Sequence, residues 1–139
     1  MKNKKLFVIS ILIILCLLVG CTNSQFQTDY NQFKKSYFLA TDFVEKDNDP
    51  LKALKNMDVN VVEAELKKMK EAMDNMSIES KSKIQKGIYN NVESYYNSVE
   101  FLLKAAKNIE TLSIEEKRMV NIEVELVSIN RKSIKRGEE

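Results

Sequence analysis

Few side chains in this 139-residue chain can carry covalent or metal chemistry. Its two thiols are Cys16 and Cys21, and it has no histidine and no tryptophan. Without imidazole, the commonest neutral-pH general base and nitrogen metal ligand are both missing. Cys16 lies inside an apolar run, whereas Cys21 closes the stretch Leu18-Val19-Gly20-Cys21. Asp47-Asn48-Asp49 starts like a calcium loop, but the third acidic position, the glycine and the closing glutamate are absent. Pro50 and Leu51 stand where ligands should continue, so a helix stop followed by a helix cap is the better reading. The paired glutamates Glu115-Glu116 and Glu123/Glu125 fall on expected helix surfaces and read as solvated faces. Serine and lysine are plentiful enough for a nucleophile–base pair, yet nothing local marks one serine. No metal and no cofactor is expected.

The reactive thiol belongs to an address. Lys2, Lys4 and Lys5 precede a run from Leu6 to Val19 in which Ser10 is the one clearly polar residue. A charged start, an apolar middle and small residues before a cut are the parts of an export signal. The stretch Leu18-Val19-Gly20-Cys21 resembles the lipobox of bacterial lipoproteins. That resemblance covers residues 1–21 alone. It implies that a diacylglycerol is attached to the Cys21 thiol, that the peptide is cut between Gly20 and Cys21, and that Cys21 becomes the new N-terminus. Two alternatives stand beside it. An uncut anchor fits poorly, because the run falls short of the roughly 20 residues that a spanning helix needs. Cleavage by an ordinary signal peptidase after Gly20 would place the large Leu18 at a position that favours small residues. The expected location is the extracytoplasmic face of a cell membrane.

Removing residues 1–20 changes the charge balance. Taking Lys2, Lys4 and Lys5 from the 22 basic residues leaves 19 against 20 acidic ones. The basic balance of the whole chain is thus a property of the export segment, and no nucleic-acid partner is indicated. The chain beyond the cut is enough for one domain with a modest core. Cys16 would leave with the signal and Cys21 would be acylated. The domain then holds itself together by packing alone, even in an oxidising compartment.

Gly87, Gly137 and Pro50 are the only glycines and proline beyond residue 20, which suits a few long helices rather than many strands. The spacing predicts a first helix over about 24–46, with Phe26, Tyr30, Phe33, Tyr37, Ala40 and Val44 in one stripe. Phe38, Leu39 and Phe43 fall outside it, so its middle should be covered on more than one side. Asp49 caps a short turn through Asn56. A second long helix runs from about Val59 to Met76 with Asp58 as cap. Its methionines, Met69, Met73 and Met76, read as core filler. The third helix spans about 79–111 and has two seams sharing Val92, Val99 and Ala106, so it touches two neighbours and must overhang them or bend near Gly87. Met76-Ser77-Ile78-Glu79 and Leu112-Ser113-Ile114-Glu115 look like two helix starts of one kind. The second is a capping box, Ser113 with Glu116. From Val120 to Leu126 the pattern also alternates as a strand would, but no other stretch offers that strand a partner. As a helix it carries Val120, Val124 and Val127 on one side and Met119, Ile122, Leu126 and Ile129 nearly opposite.

The expected architecture is all-α: a cleaved signal over 1–20, a short lipidated tether over 21–25, and a small antiparallel bundle of three or four long helices over 26–136. The C-terminal bases Arg131, Lys132, Lys135 and Arg136 either face anionic lipid or, more simply, complement the helix dipole in water. Three functions are consistent with this pattern. The first is a non-enzymatic interaction module that meets an envelope protein or another copy of itself through Met119, Ile122, Leu126 and Ile129 or through Phe101, the best candidate for an isolated exposed aromatic. The second is a lipid- or small-ligand-binding bundle, suggested by Tyr89, Tyr95 and Tyr96. The third, an envelope enzyme, has the fewest groups to work with.

Overall fold

A computed structural model describes residues 24–137, and in that range the chain is all-helical. The expected export signal, its cleavage point and Cys21 lie outside the described residues. Helix α1 occupies 24–40. A 3-10 turn, Asp42–Glu45, leads to α2 (Pro50–Lys55), α3 (Val59–Glu79) and α4 (Lys83–Lys107). A second 3-10 turn, Ile109–Thr111, precedes α5 (Ile114–Arg136). Among the described residues no helix is long and apolar enough to cross a membrane.

α1 touches three of the other helices. Phe26, Tyr30, Phe33, Tyr37 and Ala40 are all buried, and so are Asp29 and Ser36 beside them. It meets α3 through Asn75, which donates to Asp29 at 3.4 Å, and α4 through the Tyr37 and Tyr95 rings, 5.4 Å apart. It meets α5 where Arg131 donates to the Phe38 carbonyl at 2.8 Å. Multiple cover over its middle holds for Phe38 but not for Leu39, which is exposed. The helix ends at Ala40, short of 46. The Thr41 hydroxyl donates back to the Tyr37 carbonyl at 2.6 Å, and the tighter 3-10 winding after it buries Phe43 and Val44.

Side-chain caps start the helices. Asp49 accepts from the backbone N–H of Leu51 and Lys52, with Pro50 at the first helical position. Asp47 accepts from the Asp49 N–H, so both acids of that stretch are engaged by backbone, as stop and cap. Asp58 accepts from Asn60 and Val61 and starts α3. That helix runs three residues past Met76, to Glu79. Ser77 is therefore not a helix start: it lies inside α3 and donates to the Asp74 carbonyl. The start of α4 is Ser82, whose hydroxyl accepts from the Gln85 N–H while the Gln85 side chain accepts from the Ser82 N–H. At 1.5 Å per residue α4 is about 37 Å long. It packs on α3 along one side and on α5 along the other, with Val92, Val99 and Leu102 fully buried. Ser113 and Glu116 form the expected box at the start of α5, which closes on Gly137 at a φ of 72°. The 119–126 stretch is helix, not strand.

Candidate functional site

α5 has two sides with opposite fates. Val120 and Val127 are fully buried, and Val124 and Ile134 nearly so. On the other side Met119 is 38 %, Ile122 43 %, Leu126 43 % and Ile129 52 % exposed. These four recur at spacings of three, four and three, so they form one stripe about 15 Å long on the helix surface. By the same helical geometry Arg118, Glu125 and Lys132, all exposed, run along one edge of it. Monomeric proteins seldom leave a contiguous apolar stripe in water without a use for it.

Phe101 lies apart from the stripe, on α4, and is half-buried rather than an isolated exposed ring. The 3-10 turn after α4 brings Leu112 back beside it, and with Lys104, Asn108 and Glu116 it lines an open hollow of about 360 Å³. Sequence periodicity places a residue on a helix face but carries no information about a turn folding over that face.

The basic end of α5 also differs from expectation. Arg131 is only 5 % exposed and serves neither lipid nor water. Its guanidinium donates to Glu45 at 3.1 Å, to the Phe38 carbonyl at 2.8 Å and to the Thr41 hydroxyl at 2.7 Å, and lies 4.9 Å from the Phe38 ring centre. Lys135 donates to the same Glu45 at 3.0 Å. Hydrogen bonds from Lys135 and Arg131 hold the Glu45 carboxyl below its usual range. Two of the four bases thus clamp α5 to the end of α1. Sequence reasoning missed Glu45 as their partner, since a bond between residues 86 positions apart leaves no local signal.

The tyrosines suggested for ligand binding are half-buried and pack against the core. Tyr37, whose ring meets that of Tyr95, is completely buried; burial pushes its hydroxyl far above the usual phenol range, and it lies beside Asn130 without a hydrogen bond of good geometry. The hydroxyls of Ser77, Ser80, Ser82 and Ser113 all bond to backbone, as helix caps or to carbonyls within a turn. Among the described residues no group of three or more histidine, cysteine, aspartate or glutamate side chains is placed to hold a metal ion. The structure therefore gathers the four α5 residues on one face and sets Phe101 apart from them. Comparison of the chain with protein-family models, with curated proteins and with solved structures gave no match.

Proposed function

We propose that this chain is a lipid-anchored helical module that binds another protein at the extracytoplasmic face of a cell membrane and catalyses no reaction. In this reading residues 1–20 are removed and a diacylglycerol on Cys21 holds the chain in the bilayer, two acyl chains being enough for stable anchoring. The helices form a small antiparallel bundle above that anchor. The partner is an envelope protein or a second copy of the chain. One observation carries the proposal: Met119, Ile122, Leu126 and Ile129 are each about half exposed in one stripe, on a helix whose other side is buried.

Radiolabelled palmitate and brief crosslinking in native membranes test it together. Wild type should take up the label and give a discrete crosslinked adduct. Cys21→Ser should lose the label, and Ile122→Asp should keep the label and lose the adduct. Label in Cys21→Ser equal to wild type would remove the anchor from the proposal. An adduct that survives Ile122→Asp unchanged would remove the α5 face.

A further inference from the structure

The turn between α3 and α4 carries two of the most exposed apolar side chains in the described chain. Ile78 on the last turn of α3 is 78 % exposed, and Ile84 on the first turn of α4 is 77 % exposed. Between and beyond them stand Lys81, Lys83 and Lys86, all exposed. The acids near them are Glu79, whose carboxyl is partly withdrawn from water, Asp29, which is buried and bonded to Gln25 and Asn75, and Asp74, one turn before Ile78 and paired with Lys70. Apolar tips ringed by lysine recur where proteins touch anionic lipid, since the side chains enter the headgroup layer and the ammonium groups stay at its surface.

The fold puts this turn where a membrane would be. The Asn75–Asp29 hydrogen bond and the burial of Phe26 and Met76 in one core set the last turns of α3 level with the first turns of α1. The first described residue of α1, Ser24, is three residues from Cys21, a reach of at most about 10 Å. Ser24, Gln25, Gln27 and Thr28 are uncharged, so nothing on the opening turn of α1 repels an anionic surface. The geometry points to a second membrane contact: Ile78 and Ile84, flanked by Lys81, Lys83 and Lys86, dip into the anionic bilayer that the Cys21 lipid enters. This rests on the anchoring proposed above. A lipid alone leaves the domain free to swivel; a second contact fixes which end faces the membrane and turns the outer side of α5 sideways or outward.

The chain has no tryptophan, so one introduced indole reports its own surroundings. Palmitate-labelled Ile84→Trp is reconstituted in vesicles of equal phosphatidylcholine and phosphatidylglycerol, with brominated acyl chains as quencher. Ile114→Trp is the control: Ile114 is 89 % exposed at the start of α5, separated from Ile84 by the length of α4. The Ile84→Trp indole should shift to the blue and be quenched, the Ile114→Trp indole should do neither, and replacing phosphatidylglycerol by phosphatidylcholine should lose most of the quenching. Labelled protein with an unquenched Ile84→Trp indole would overturn the second contact and leave the anchor standing. Equal quenching at both positions would overturn it too, because no end would then be preferred. Absence of palmitate label would overturn the anchor itself, and the second contact with it.

Discussion

The two sides of α5 draw on the same stock of side chains. Val120, Val124, Val127 and Ile134 face inward; Met119, Ile122, Leu126 and Ile129 face outward. Hydropathy does not separate them, and the inward side even takes in Arg131 while the outward side leaves Ile129 half in water. What separates them is supply of partners. Inward, the apolar residues meet the shared core, and Arg131 finds Glu45, the Phe38 carbonyl and the Thr41 hydroxyl. A charge is tolerated inside once its donors are engaged, whereas an apolar side chain that the fold offers no partner stays in water. An apolar stripe that the fold leaves without partners is therefore informative in a way that its composition is not.

Charge placed on each side breaks or sharpens this contrast most directly. Val127→Asp should destabilise the chain by about 4 kcal/mol or more, through an unpaired buried carboxylate, and leave no cooperative melt. Ile122→Asp should stay within about 0.5 kcal/mol of wild type in a denaturant titration, because its side chain already meets water. Equal losses would mean that the outer stripe is covered after all.

The Arg131 clamp offers a smaller effect. Arg131→Met keeps the stem and removes the donors, and should cost about 2 kcal/mol by loss of charged hydrogen bonds. Its pH dependence has a definite sign. Because the folded state holds the Glu45 carboxyl low, the stabilisation is present above the usual carboxylate range and is lost as pH falls from there through the lowered folded-state value. Melting temperatures of wild type and Glu45→Gln should therefore differ at neutral pH and converge in acid. A gap that persists in acid would show that Glu45 acts through packing rather than charge.

The smallest effects distinguish the two serines near the α3–α4 turn. Ser82→Ala removes a cap and should cost about 1 kcal/mol. Ser77→Ala, inside α3, should change stability by less than about 0.5 kcal/mol. The reverse order in thermal melts would restore Ser77 as a helix start.

Much of the helix layout is legible in the sequence because caps are local. Asp49, Asp58 and Ser113 each announce a helix within three residues, and each begins one. The α1 stripe from Phe26 to Ala40 and the methionines of α3 are equally plain, since a helix facing a core repeats every three or four residues. The start of α4 is masked by a rival. Ser77-Ile78-Glu79 has the look of a cap and a first turn, while the box that acts, Ser82 with Gln85, follows the exposed Ile78 and encloses the exposed Ile84, neither of which joins the core. The outer α5 stripe is legible as a second seam but not as an exposed one, because exposure depends on what the rest of the chain leaves uncovered. The surroundings of Arg131 and Phe101 escape the sequence for the same reason: Glu45 and Leu112 reach them only through the tertiary fold.

The contacts of α1 with α3, α4 and α5 have a consequence in time. α1 is the first of the described helices to be made, and the cover described here comes from helices that follow it. The bonds that cover it span 46 residues from Asp29 to Asn75 and 93 from Phe38 to Arg131. Until α3 and α4 dock, Phe26, Tyr30, Phe33 and Tyr37 thus form an uncovered aromatic ridge, and Arg131 of α5 adds a further bond after them. Cover supplied from so far along the chain leaves α1 open to proteases and aggregation for as long as the later helices are undocked.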